Sequence, residues 1–199
     1  MYTDVIISNM ALGHVGTAGT IENLQADTQP NAKTCLTFYQ VALRHTLRAF
    51  EWSFAKKVEP LTKVSTLDVS KYQWRFRYQY PVDAVKFLRI NSERRNDTRD
   101  TIIPFRRFTD GIYTDRDDAI GQWIVGNVKE SFFPDDFALA LSHKLAALIS
   151  PTVTRGDDFK KQEEQEILFM KILSQAEAAS ANEEQQEIAP ASEFERARL

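Results

Sequence analysis

A chain of 199 residues has room for one compact core, or one core with a lobe, and two fully independent domains are disfavoured. Hydrophobic residues make up 43% and charged residues 27%, which excludes collagen-like and wholly disordered classes and leaves enough apolar side chains for a packed interior. A net charge of -3 argues against a broad basic surface for phosphates, and no apolar run reads as a membrane span or a signal peptide.

Thr3 can cap a short helix running to about Leu12, with Ile6, Ile7, Met10 and Ala11 on its apolar side and Gly13 and Gly16 ending it. Thr17 to Gln29 then reads as connector. Pro30 suits the first turn of a second helix, where its missing N–H has no partner to lose. Ala32, Leu36, Tyr39, Leu43, Leu47 and Phe50 recur at spacings of three and four, so all six are expected on one buried face, with Cys35 beside it. Arg44 and Arg48 lie in the last turns, where cations oppose the carbonyl end of the helix dipole.

From Trp52 to Asn127 the pattern changes to period two. Tyr72, Trp74, Phe76, Tyr78 and Tyr80 alternate with Gln73, Arg75, Arg77 and Gln79, as in a half-buried strand. Phe87 to Ile90, Thr101 to Phe108, Gly111 to Thr114 and Gly121 to Val125 continue the strands. Asp110-Gly111 predicts a two-residue hairpin turn, and Pro104 confines its strand to an edge or a bulge.

Helical pattern returns at Pro134, with Asp135 and Asp136 favouring the positive end of the helix. Phe137, Leu141, Leu145 and Leu148 form a stripe that Pro151 is expected to stop. Thr154 and Asp157 approximate a capping box for a last helix reaching about Asn182. Its middle, Ile167, Leu168, Phe169, Met170, Ile172 and Leu173, is apolar nearly all round, as in a helix covered on more than one side. Residues 155–199 hold six Lys and Arg against eleven Asp and Glu, so the acidic surplus is local. The composition after Asn182 is that of a tail.

The expected fold is therefore α+β: a four-helix bundle with an inserted antiparallel β-lobe and an extended C-terminal tail. The bundle takes residues 1–52 and 132–182, the β-rich lobe 53–131 and the tail 183–199.

Chemistry-bearing motifs are sparse. His14, His45 and His143 stand in no metal-ligand spacing with each other or with Cys35, and read as solvent-facing or bundle-lining side chains. Cys35, alone, cannot form an internal disulfide and points to a reducing compartment. The seven scattered glycines form no phosphate loop and no nucleophile elbow. Asp115, Asp117 and Asp118 cluster between two strands but lack the spacing of a calcium loop. Arg94, Arg95 and Arg99 are nearly balanced by Glu93, Asp97 and Asp100.

In order and spacing, a set of residues resembles one known family. Ile21, Leu24, Ala32, Cys35, Tyr39 and Leu47 lead into Trp52-Ser-Phe-Ala55 and Leu61. Tyr78, Tyr80, Pro81 and Asp83 follow, then Ile112-Tyr-Thr-Asp115, then Phe132, Phe133, Phe137, Ala140, Leu141, Leu145 and Ala146. Together they are similar to bacteriophage head-to-tail adaptor, or connector, proteins of the podovirus tail tubular protein A type. The segment Trp123-Ile-Val125 and the tail beyond Asn182 depart from that pattern.

The resemblance implies a structural virion protein, not an enzyme, with no cofactor or metal and no membrane. About twelve identical subunits would form a ring beneath the portal vertex, closed by heterologous contacts. The portal protein would lie on one side and the tail nozzle or tube protein on the other, with tail fibres as a further partner. Genomic DNA would pass through the lumen without specific binding. The chain would be made in the host cytoplasm and reside in the virion at the head–tail interface. On this reading Ile167, Leu168, Phe169, Met170 and Ile172 supply the inter-subunit contact. Ile188, Phe194 and Leu199, with Arg196 and Arg198, anchor the tail to the portal, and Arg94, Arg95 and Arg99 meet the tail or a fibre.

Two other readings use different residues. A DNA-binding regulatory or packaging protein would use the helical bundle, and requires a basic helix face of the kind that Lys33, Arg44, His45 and Arg48 barely supply. An enzyme or carbohydrate-binding lobe would use Trp74, Trp123 and the Asp115 to Asp118 cluster, and requires a concave aromatic pocket.

Overall fold

Four helices and two antiparallel sheets make up an α+β fold in the computed structural model, which describes residues 1–17, 20–67, 73–91, 103–154 and 159–183. Tyr72, Arg94, Arg95, Arg99, Asp157, Ile188, Phe194, Arg196, Arg198 and Leu199 lie outside the described residues. The chain divides into a helical unit, Met1–Ala55 with Gly126–Glu183, and a β unit, Lys56–Val125.

In the helical unit α1 spans Asp4–Val15. Thr3 Oγ1 accepts the Ile6 N–H at 3.2 Å, satisfying one donor that the first turn leaves over. The helix runs through Gly13 and stops at Gly16, whose φ of 81° lets its N–H turn back to the Gly13 carbonyl. Ile7, Ser8, Ala11, Leu12 and Val15 face inward, while Ile6 is exposed, so the buried side is rotated from the expected one.

The second helix, α2 (Pro30–Ala49), begins at the proline as its fixed φ favours. It buries Ala32, Cys35, Tyr39, Ala42, Leu43, Thr46 and Leu47. Leu36 is 42% exposed, contrary to its expected place in the core, and Cys35 occupies that place instead. The buried face, which includes Ala32 from the expected stripe and Cys35 beside it, is rotated slightly from that stripe, so that Ala42 and Thr46 join it and Leu36 leaves it. Phe50 follows the last turn in extended backbone and is not on the helical face.

The helix α3 (Asp135–Val153) packs against α1, α2 and α4 (Phe159–Glu183). It is enclosed nearly all round: Phe137, Ala138, Ala140, Leu141, Leu145, Ala146, Ala147 and Ile149 are buried, and Leu148 is only half-buried. Pro151 does not stop it. The proline forfeits one N–H near the end, and the last turn still closes through Thr154 N–H to the Ser150 carbonyl at 2.9 Å. Thr154 Oγ1 also donates to that carbonyl, at 2.8 Å, so Thr154 ends α3 and does not cap α4.

The β unit contains β1 (Lys56–Pro60), β2 (Lys63–Thr66), β3 (Phe76–Tyr78), β4 (Ala84–Asn91), β5 (Phe105–Phe108), β6 (Gly111–Thr114) and β7 (Ile120–Val125). One sheet has the order β1-β7-β4 and the other β2-β3-β6-β5, with every pair antiparallel. The expected long aromatic strand is reduced to β3, three residues, but its alternation holds: Tyr78 is buried, Phe76 and Tyr80 are half-buried, and Arg75 and Gln79 are exposed. Pro104 directly precedes β5, which lies at a sheet edge.

The hairpin turn is Thr109-Asp110, one residue earlier than expected, because Phe108 pairs with Gly111. Gly111 begins β6 with φ of 149°, and a Cβ there would run into the Tyr78 carbonyl oxygen of β3. The two sheets share one core of Leu61, Tyr78, Ala84, Ile90, Ile112, Ala119 and Trp123, against which Phe87 and Phe105 pack edge to face, 5.1 Å apart.

Candidate functional site

The residues on either side of the β insertion meet inside the helical unit. Trp52 is buried, its Nε1–H donates to the Thr46 carbonyl at 3.0 Å, and its ring stands edge-on to Phe137 with centroids 5.0 Å apart. Phe54 contacts the same ring at 4.9 Å, and Phe133 contacts it at 4.8 Å. This aromatic cluster joins the segment that leaves α2 to the start of α3, so the helical unit closes on itself across the insertion. The Trp52-Ser-Phe-Ala55 segment has a clear structural role.

The candidate surface is the outer side of α4. Its inner side buries Gln165, Phe169, Leu173, Ala176 and Ser180, at spacings of three and four. Ile167 is 62% exposed and Met170 57%, with Lys171 and Ser174 exposed on the same side. Leu168 and Ile172 are half-buried at the margins. Of the five residues expected at an inter-subunit contact, Phe169 is turned wholly into its own chain and offers no surface; Ile167 and Met170 stand free. The outer side of α2 also carries apolar side chains, Leu36 and Val41, among Lys33, Arg44 and Arg48. Those apolar side chains interrupt the basic stripe that groove recognition needs.

A polar cluster lines the inside of the helical unit. His14 and His143 stack with centroids 3.9 Å apart and planes at 14°. His14 Nε2 lies 3.0 Å from Ser142 Oγ, and His143 Nδ1 lies 2.7 Å from Gln165 Oε1. Beside them Lys144 Nζ pairs with Glu166 at 2.6 Å and sits 5.1 Å from the centre of the Phe169 ring. Burial, with the neighbouring His143 and Lys161, lowers the His14 pKa to about 4. His14 and His143 are far apart in sequence, and no local spacing points to their pairing. Cys35 is fully buried and its thiol is pushed up to about 11 by burial, so it is a small core side chain and a poor nucleophile.

In the β unit the residues of the carbohydrate-site reading are engaged in contacts within the unit. Trp123 is buried, its Nε1–H donating to Asp83 at 3.0 Å, and Trp74 is half-buried. Asp117 pairs with Lys63, which lowers its pKa, and Asp115 Oδ1 accepts the Arg75 N–H at 2.9 Å. These contacts tie the turn before β7 to β2 and β3. Among the described residues no group of three or more His, Cys, Asp and Glu is arranged to hold a metal ion. An open cavity of about 590 Å³ is lined instead by Tyr80, Arg107, Phe108 and Thr109, with the Arg107 guanidinium 4.1 Å above the Tyr80 ring. Among the described residues no helix is long and apolar enough to cross a membrane.

Compared with known proteins, the chain matches no family model and no curated sequence.

Proposed function

We propose that this chain is a structural virion protein, a head-to-tail adaptor whose copies assemble into a ring of about twelve between portal and tail. The observation that carries the reading is α4: its inner side is fully engaged with its own chain while Ile167 and Met170 project outward. A helix used on both sides suits a subunit that must pack on itself and on an identical neighbour. The four helices are read as a four-helix bundle, with the β unit inserted between its second and third members and available to a tail component or fibre. The portal protein meets the ring on one side and the tail nozzle or tube protein on the other, and the genome passes through the lumen without specific binding.

The C-terminal residues Ile188, Phe194, Arg196, Arg198 and Leu199 are proposed to dock on the portal. The argument rests on their sequence: three large apolar anchors, with charges at the rim to set register. Electron microscopy of portal rings mixed with the full chain tests the reading. A closed ring of many copies on each portal ring is expected; a single copy per portal ring would overturn it. Deleting residues 183–199 is expected to abolish attachment without unfolding the chain, and unchanged attachment would remove the docking role of that segment.

A further inference from the structure

The hydrogen bonds around the stacked histidines fix where their protons lie. Ser142 has one hydroxyl proton and gives it to the Leu139 carbonyl at 2.7 Å, so its oxygen accepts from His14 Nε2–H. Gln165 points its Nε2 toward the His14 carbonyl at 3.4 Å, which leaves its Oε1 to accept from His143 Nδ1–H. These bonds place a proton on His14 Nε2 and on His143 Nδ1, and a further proton on His14 goes to its Nδ1. Two rings 3.9 Å apart tolerate neutral stacking and not a pair of imidazolium ions. Gln165 is the α4 side chain that touches both, through the ring of His143 and the backbone of His14, so this contact ties α4 to α1 and α3.

The surroundings oppose a positive charge. On α4 Lys161 adds like charge although Glu164 pairs with it at 3.2 Å, and on α3 Lys144, next to His143 in the chain, has its partner Glu166 of α4 already committed to it. On α2, His45 interacts electrostatically with Lys144, Glu166 and Arg48 and supplies no carboxylate. On α1, residues 10–17 contain no acidic side chain. Among the described residues no carboxylate contributes to the His14 pKa.

We propose that the His14–His143 stack with Gln165 is an acid-released latch: neutral, it holds α4 on α1 and α3, and protonated, it lets α4 open ahead of the rest of the helical unit. The latch concerns α4 within a single chain and does not depend on the adaptor reading. Its sign follows from linkage. His14 is held below its ordinary 6.5 in the closed state and rises back toward that value once α4 opens, because opening removes Lys161 and exposes the ring. The closed state is therefore fully favoured above pH 6.5 and loses ground as pH falls toward 4.

Amide hydrogen exchange of the full-length chain, corrected for the intrinsic pH dependence of exchange, reads the opening of each helix. Between pH 8 and pH 5 the opening of residues 159–183 should rise more than that of α2, by up to about 30-fold, the ceiling set by a complete return from about 4 to 6.5. The variant His14→Phe keeps a ring in the stack but cannot take a proton, and should reduce that extra factor to less than about twofold. Should that variant fail to fold, the decision falls to the wild-type chain, through its exchange and an NMR titration of the histidine rings. His14 staying neutral at pH 5.5 together with selective opening of α4 at pH 5 supports the latch. An α4 that opens in step with α2, a His14 that titrates near 6.5, or an undiminished pH response in a folded His14→Phe chain overturns it.

Discussion

The apolar stretches of α3 and α4, residues 137–149 and 167–173, meet very different surroundings. Touched by each of the other three helices, α3 buries even Ser142, His143, Lys144 and Ser150. In α4 one side is buried, and Ile167 and Met170 on the other are more than half exposed. The content of a helix therefore says how much surface it could bury, and its position among neighbours decides how much it does. An apolar side chain with no neighbour in its own chain is surplus to folding, and that is why α4, and not α3, is the informative surface.

The comparison can be broken most directly at its enclosed side. Leu141 in α3 is fully buried, so Leu141→Ala should cost on the order of 2 to 5 kcal/mol through lost transfer energy and the cavity left behind. Leu36→Ala, at an exposed position of α2, should cost less than about 0.5 kcal/mol. Urea unfolding of the two variants checks both values, and comparable losses would mean that burial in this unit is wrongly apportioned.

A smaller effect is expected where the two helices exchange charge. Lys144 retains 10% of its side-chain exposure, whereas Glu166 retains 42%, so only one end of the pair is truly withdrawn from water. Glu166→Gln leaves a buried ammonium without its carboxylate, and should cost about 1 to 2 kcal/mol, reduced from the fully buried case by solvent at the glutamate. Replacing both, as Lys144→Met with Glu166→Gln, should recover most of that loss because no charge is then stranded. If the double variant is no more stable than Glu166→Gln alone, the pair is not the source of the effect.

Much of this organisation was legible from period alone. The N-cap at Thr3, the Pro30 start of α2, the period-two run around Phe76 and the return to helix after Pro134 each rest on local chemistry that the surroundings do not reverse. The misplacements share a different cause. Leu36 was expected inside because it falls on the three-and-four spacing, yet the buried face of α2 is rotated toward Cys35 and Ala42. Pro151 was expected to end α3, but a proline so near the C-terminus gives up little. The histidine stack was invisible because its members come from opposite ends of the chain, joined by tertiary packing that no local spacing encodes. On α4 the all-round apolar pattern was legible, but which side faced inward required the buried series Gln165, Phe169, Leu173 and Ala176.

The smallest effect on stability is expected on the exposed side of α4, and it sharpens the comparison because the same change should be felt elsewhere. Ile167 and Met170 already meet solvent in the single chain, so converting both to serine removes little burial and should alter the unfolding free energy by less than about 0.5 kcal/mol. A slight gain is allowed, because fewer apolar atoms then remain in water. Assembly on the portal should respond differently: if these side chains enter a neighbour's core on ring closure, each contact loses two apolar anchors, and the loss recurs at every interface of the ring. Full rings on portal should therefore give way to partial arcs or bare portals in electron micrographs, while the isolated variant unfolds in urea as the wild type does. A double variant that closes rings as the wild type does would remove α4 from the inter-subunit contact. One that is strongly destabilised in isolation would instead show that Ile167 and Met170 belong to the interior of their own chain, and the contrast between α3 and α4 would fail at its source.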